Sequence, residues 1–590
     1  MSSSIDMRFS RVGSDDFEKI VTTEGAILVD KTLFIKEVLT AGDVSLITRP
    51  RRWGKTLNMS MLQYFFSIPV KRDGSVDEER LAQKKAIFAR MQIGQQYPEI
   101  VEQYCGKYPT IFVTFKGVDT TSHKEVLEGV SSVIYDAFAA HEYMLSSDKL
   151  GPSLMNILER VAPKQLNDEE IKKGLQKLSE MLFNYFGKNA IILIDEYDSP
   201  MNGWYSLKLS GKKVGDDPED ILKLFRSVFG HALKTNTHME RSVVTGILRI
   251  AKSNLFSGIN NLTEASILDK RYASHFGFTE EEVKGLLHDC DMDHDDSAIN
   301  EIKSWYNGYN IGGITIYNPW SIINYLRERE LRAYWVGTGS TALLEIAGLL
   351  DDFQPEMQHL IEGGRINMTA DPHMVFSEIR TSHEAFYNLL LFSGYLTPQT
   401  VNHNTESDVY SCEVRIPNRE VRSIFLSFLR KWISKKFEVE ELEYTNFIRG
   451  LLAGDVETFI SKLRKYLEVS ASYHSTGDAK KAEIFYNGLV LGLIATISYS
   501  YFVETERESG TGRVDLLLIP KANTRERTAF VIEFKALKDA GGDLKARADE
   551  ALAQIKSKNY ASKITAYENI ERTISLGLAF CGKDVEASWE

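Results

Sequence analysis

The sequence predicts an α/β chain in three parts: an N-terminal parallel-sheet domain over 1–268, a mainly helical region over 269–468, and a C-terminal α/β domain over 469–590. Three observations lead there. Short, largely apolar runs (Val44–Ile47, Thr110–Phe115, Ala190–Ile194, Ser242–Leu248) alternate with helical stretches, the pattern of strands buried in a parallel sheet. From Asp269 to Glu468 the apolar spacing is mostly that of helices. The last part reads helix, three strands, helix, strand. At 590 residues the chain exceeds what one core can hold, and roughly three or four domains is the prior.

A hydrophobic content of 43% and a charged content of 26% are ordinary for a soluble globular protein. The formal net charge of -12 gives no global field that would draw in a polyanion. Binding of that kind depends on local clusters, Arg49-Pro50-Arg51-Arg52 or Lys431, Lys435 and Lys436. Cys105, Cys290, Cys412 and Cys581 lie far apart, which argues against a zinc knuckle or a disulfide framework and fits a reducing cytosol. The start of the chain is polar, without the apolar region of a signal peptide. The longest apolar run, Gly488 to Val503, is shorter than the roughly 20 residues of a membrane span. A cytoplasmic chain with no membrane partner is expected.

In the first part, the strand pattern at Val44 runs into Thr48-Arg49-Pro50-Arg51-Arg52-Trp53-Gly54-Lys55-Thr56, followed by a helical pattern. A strand, a loop ending Gly-Lys-Thr and a helix form a phosphate loop. Backbone N–H groups at the helix start cradle phosphates, Lys55 reaches the terminal ones, and the Thr56 hydroxyl sits on Mg²⁺. Such a loop usually opens with glycine where this chain has Arg49, so a degenerate loop kept as scaffold is the competing reading. A second element supports the functional one: Ala190-Ile191-Ile192-Leu193-Ile194 ends in Asp195-Glu196. Asp195 would hold Mg²⁺ through water and Glu196 would polarise the attacking water. Thr245 and Arg249, at the end of a further strand, stand where γ-phosphate is often sensed; a surface salt bridge is the alternative for Arg249. The candidate nucleotide set is thus Arg49, Arg52, Gly54, Lys55, Thr56, Asp195, Glu196 and Arg249, with ATP and Mg²⁺ as cofactors.

The middle part carries little chemistry. Thr279 and Glu282 are spaced as a capping box. The aromatic segments around Trp305–Tyr309, Tyr317–Trp320 and Tyr334–Trp335 read as packing rather than as base-stacking platforms. Asp289, Asp291, Asp293, Asp295 and Asp296 do not make a calcium loop, because the turn glycine would be His294 and the closing glutamate Asn300.

In the last part, Asp515 lies on one strand-like run, and Glu533 and Lys535 lie on the next, pointing to one face. Two carboxylates on neighbouring strands can hold Mg²⁺, and a lysine beside them can orient or activate water. Glu483 opens a preceding helix as a further candidate acid, and Gln554 and Tyr560 lie on a polar helix downstream. The bland alternative is an exposed strand with a Glu–Lys pair.

Taken in order, Arg49–Thr56, Leu193–Asp198, Phe256–Leu262, Trp305–Tyr309, Tyr317–Trp320 and the Asp515…Glu533-x-Lys535 set resemble the bacterial AAA-ATPase-like proteins fused to a C-terminal PD-(D/E)XK nuclease-superfamily domain. The resemblance covers nearly the whole chain. It implies a P-loop parallel-sheet ATPase-like domain, the helical middle and an α/β restriction-endonuclease-like domain. It also implies that Arg in place of the first loop glycine is usual. It carries the metal carboxylates onto Asp515 and Glu533, the lysine onto Lys535, the helical acid onto Glu483 and the glutamine-helix motif onto Gln554; Val514 replaces the usual proline.

The expected activity is an ATP-regulated, Mg²⁺-dependent nuclease acting on nucleic acid, DNA ahead of RNA. A role in defence against foreign DNA rests on analogy of architecture. The alternatives are an ATP-dependent switch that binds nucleic acid or a partner without cutting, and a stand-alone NTPase working as a homo-oligomer with Arg249 or Arg271 across the interface.

Overall fold

The computed structural model describes residues 7–209, 218–248, 256, 259, 262–292, 295–335, 354–372, 382–407, 409–436, 440–471, 497, 500–507, 514–522, 524–537, 543–557, 564, 567, 569–581 and 584–590. The chain packs as two compact units. One comprises Met1–Ala347 with Arg365–Val421, the other Gly348–Gly364 with Arg422–Glu590.

The first unit is built on β1 (Val44–Thr48), β2 (Thr110–Thr114), β3 (Ala190–Asp195), β4 (Met239–Gly246) and β5 (Leu262–Ala265). They run parallel throughout, in the order β2-β3-β4-β1-β5. β1 and β3 are buried along their whole length, which is why their sequences are apolar without alternation. Successive residues feed opposite cores. Leu46, Ile192 and Val244 pack with Phe225 and Phe229 on one side, while Ile47, Leu193 and Val243 pack with Phe34 and Phe65 on the other. Because β4 lies between β1 and β3, the carboxyl ends of all three come side by side, with Thr48 beside Gly246 and Ile194 beside Val244. Ligands of open α/β sheets gather at that edge. Helix α1 (Lys55–Phe66) leaves β1 through the loop there.

Further along the first unit, α2 (Glu280–Asp289) opens on the expected capping box, with Thr279 and Glu282 each accepting the other's backbone N–H. Aspartates of the cluster that are described take ordinary roles. Asp295 caps α3 (Asp296–Tyr306), and Asp291 pairs with Arg8 at 3.0 Å. Among the described residues, no three His, Cys, Asp or Glu side chains gather as metal ligands would. Two sets of strands interrupt the helices of this region. β6 (Tyr309–Ile311) and β7 (Ile314–Ile316) form a hairpin, followed by helix α4 (Pro319–Glu328). β8 (Ile366–Ala370), β9 (Thr397–Asn404) and β10 (Val409–Arg415) form an antiparallel sheet in the order β8-β10-β9.

A buried carboxylate organises the same region. Glu420 accepts the backbone N–H groups of Tyr334 at 2.6 Å and Trp335 at 2.7 Å, and the Ser321 hydroxyl at 2.7 Å. Burial pushes its carboxyl from an ordinary 4.5 up to about 7, against the opposing pull of those three donors.

The second unit carries β11 (Tyr501–Arg507), β12 (Val514–Pro520), β13 (Thr528–Ala536), β14 (Arg572–Cys581) and β15 (Asp584–Trp589), hydrogen-bonded in sequence order. All pairs are antiparallel except β13 and β14. A parallel pair needs a crossover, and α5 (Leu544–Ser557) lies on it. The expected strand–strand–strand–helix–strand order is present, with β15 added. The apolar helix expected near 482–493, and Glu483 with it, lie outside the described residues. No described helix is long and apolar enough to cross a membrane.

α5 comes close to β14 because residue 577 is glycine. A Cβ there would stand 2.6 Å from the Leu552 nitrogen and closer still to the Ala548 carbonyl. Gly577→Ala is therefore expected to cost roughly 1–3 kcal/mol of stability through overpacking. An unchanged denaturant midpoint would contradict that approach. The raised carboxyl of Glu420 gives a second expectation. Its contribution to stability is full below pH 4.5 and is lost as pH rises toward about 7, because the unfolded chain releases that proton first. Thermal midpoints measured across this window should show the advantage of wild type over Glu420→Gln shrinking as pH rises; parallel curves would contradict it.

Candidate functional site

The loop between β1 and α1 turns through two left-handed residues, Arg52 at φ 66° and Gly54 at φ 77°. Gly54 is the N-cap of α1 and no side chain caps that end, so the first N–H groups of the helix stand available to an anion. Lys55 is buried inside the curl of its own loop, where its ammonium donates to the carbonyls of Arg49 at 2.9 Å and Pro50 at 2.8 Å. Burial lowers its pKa to about 8, although Asp195, Asp198 and Glu196 pull the other way. The Thr56 hydroxyl donates to one oxygen of Asp195 at 2.7 Å, and the Thr245 hydroxyl donates to the other. The helix start, β3 and β4 thus meet at one carboxylate.

Glu196 follows in the left-handed region, at φ 50°. A residue with a Cβ pays strain there, which surroundings must sustain. Burial, then the neighbouring Asp195 charge, raises its carboxyl. Asp198 closes the Leu193–Asp198 stretch, and the sequence assigns it no role. It is fully buried and accepts from the N–H groups of Ile247 at 2.9 Å and Leu248 at 2.8 Å and from the Asn202 amide at 2.8 Å. It therefore ties the end of β3 to the turn after β4, just before Arg249. Arg249 itself lies outside the described residues.

Arg49 is directed inward. Its guanidinium donates to the carbonyls of Thr48 at 2.8 Å, Ala265 at 3.2 Å and Arg271 at 3.3 Å, and it is fully buried over the Phe276 ring. Burial lowers its pKa to about 10, still far above neutrality. The place of the usual glycine is filled by a strut joining β1, β5 and the Arg271 segment. Arg52 is exposed and lies over the Trp320 ring at 4.2 Å.

In the second unit, Asp515 on β12 stands directly opposite Glu533 on β13, and Glu533 opposite Gly577 on β14. Glu533 is fully buried. Lys535, two positions on and therefore on the same face, donates to the Gln554 side-chain oxygen of α5 at 2.7 Å and lies 3.5 Å from Glu550. The crossover helix thus brings Gln554 to the lysine, a contact that its sequence position alone did not reveal. The acid positions supply hard oxygen donors, which suit Mg²⁺ rather than a thiophilic metal. In the first unit, the Thr56 hydroxyl and the Asp195 carboxylate are donors of the same kind. Tyr560, like Glu483, lies outside the described residues.

Comparison with known proteins agrees with this geometry. Residues 11–256 match the AAA-ATPase-like family, described as a predicted AAA-ATPase. Residues 481–590 match the PD-(D/E)XK nuclease superfamily. The chain is also similar to a protein of Azotobacter chroococcum mcd 1 described as "Uncharacterized protein in vnfD 5'region". The two are 24% identical over 574 residues, covering 94% of this chain and 93% of that protein. This chain joins an AAA-ATPase-like domain to a C-terminal PD-(D/E)XK nuclease-superfamily domain.

Proposed function

We propose that the protein is an ATP-regulated, Mg²⁺-dependent nuclease of the cytoplasm, working through the parts drawn at 268 and 468, with DNA ahead of RNA as its substrate. The observation that carries this is the register row of Asp515 and Glu533 with Lys535 held by Gln554. Asp515 and Glu533, joined by Glu483, hold the metal; Lys535, steadied by Gln554, orients the attacking water. The metal, when bound, stabilises charge on the phosphodiester and lowers the pKa of that water.

At the loop, the N–H groups of α1, Lys55 and Arg52 receive the phosphates of ATP, Thr56 and Asp195 hold Mg²⁺, Glu196 orients the hydrolytic water, and Arg249 reads the γ-phosphate. Arg49 serves by shaping the loop. A role in defence against foreign DNA follows from analogy of architecture.

Glu533→Ala and Lys535→Ala should each lower Mg²⁺-dependent cleavage of labelled DNA by about 10²-fold or more while circular dichroism stays unchanged. Cleavage at wild-type rate by either variant would remove that site from the chemistry. DNA retained but never cut by wild type would favour the binding switch.

A further inference from the structure

Four consecutive residues of the phosphate loop are each held by a residue from beyond 268. Gly394 approaches Pro50 so closely that a Cβ on it would lie 2.8 Å from the proline Cβ. The Trp335 indole N–H donates to the Arg51 carbonyl at 3.2 Å. Trp320 carries the Arg52 guanidinium on its face at 4.2 Å. Tyr309 meets the buried Trp53 edge to face, with ring centroids 4.8 Å apart. The contributing residues are themselves tied together. The Trp320 indole donates to the Tyr334 carbonyl at 3.1 Å, and Glu420 gathers the N–H groups of Tyr334 and Trp335 while accepting from Ser321 beside Trp320.

We propose that this aromatic group is a clamp that sets the phosphate loop, with Trp335 and Glu420 as positioning residues for nucleotide binding. The proposal rests on the nucleotide reading of the loop given above. A phosphate loop rich in glycine reaches its tight curl at little conformational cost. Here glycine occurs only at 54, while Pro50, Arg51 and Arg52 lie within the curl. A left-handed residue with a Cβ, such as Arg52, is strained and persists where neighbours over-determine it. The clamp supplies that determination from outside. Trp335 fixes the Arg51 carbonyl, Trp320 fixes the side chain of the strained residue, and Glu420 fixes the backbone from which Trp335 reaches. The contacts made by 394, 320 and 309 bear on the loop's side chains, whereas Trp335 holds its backbone and so bears most directly on the N–H groups that face phosphate.

The test uses the full chain and two readouts: amide hydrogen exchange over 51–54 without nucleotide, and affinity for a fluorescent ATP analogue with Mg²⁺. Trp335→Phe keeps an aromatic ring, smaller than indole, and removes the donor. It should speed loop exchange about tenfold and weaken nucleotide binding about 3- to 10-fold, as loss of one hydrogen bond implies. Glu420→Gln, which keeps the shape but puts an amide N–H₂ in place of one accepting oxygen, should move both readouts the same way and by less. Thermal midpoints serve as the control for general destabilisation. Unchanged exchange in Trp335→Phe overturns the clamp. Faster exchange with unchanged affinity overturns its role in nucleotide binding. Wild type that binds no analogue, or binds it as well after Lys55→Ala, overturns the nucleotide reading itself, and that outcome is distinct because exchange would still respond to Trp335→Phe.

Discussion

Asp195 is the constraint on which the N-terminal site depends. Its carboxylate is buried at the end of β3, with one oxygen bonded to Thr56 at the start of α1 and the other to Thr245 on β4. Hydrogen bonds to a charged group are worth roughly 1.5–3 kcal/mol each, and leaving such a group unpaired in the interior costs more than that. The three elements are therefore fixed to one another, and the loop has to close over Lys55 in the space that remains. Burial in that space lowers the pKa of Lys55 to about 8. Its ammonium is satisfied by two loop carbonyls, Arg49 and Pro50, which a terminal phosphate would have to replace as partner.

The C-terminal site depends on register instead. Asp515 and Glu533 share a row because β12 and β13 pair without a bulge between Asp515 and Leu518, and a slip of one residue would move the acids to opposite faces. The helix above that row can come down only because Gly577 has no side chain, and its descent is what delivers Gln554 to Lys535. A position with no chemistry of its own thus decides whether one of the chemical residues is held.

How much of this was legible in sequence follows from burial. β1, β3 and β13 are enclosed on both faces, so their apolar runs announced them, and the acids at their ends or within them stood out by contrast. The capping box at Thr279 was legible because its chemistry is local. β5 (LTEA), β8 (INMTA) and β9 (TPQTVNHN) were not, since half-exposed strands with polar residues resemble loops. The β6–β7 hairpin had a usable signal in Gly312-Gly313, whose φ values of 55° and 90° are those of the tight turn that a Gly-Gly pair permits. Glu420 carried no local signal, and Asp198, though within the Leu193–Asp198 stretch, carried none of its role. Each matters through backbone N–H groups about 50 or 85 residues away, which no spacing rule sees. The aromatic segments read as packing from their sequence, but that Tyr309, Trp320 and Trp335 pack against the phosphate loop is a tertiary fact.

That nucleotide at the loop governs cutting at the C-terminal sheet is tested most directly by the rate of DNA cleavage in Mg²⁺ with and without ATP, for wild type and for Lys55→Ala. Regulation predicts a rate that changes with ATP in wild type and is indifferent to ATP in Lys55→Ala. Cleavage by wild type at one rate in both conditions, unaltered by Lys55→Ala, would contradict it and leave two independent sites on one chain.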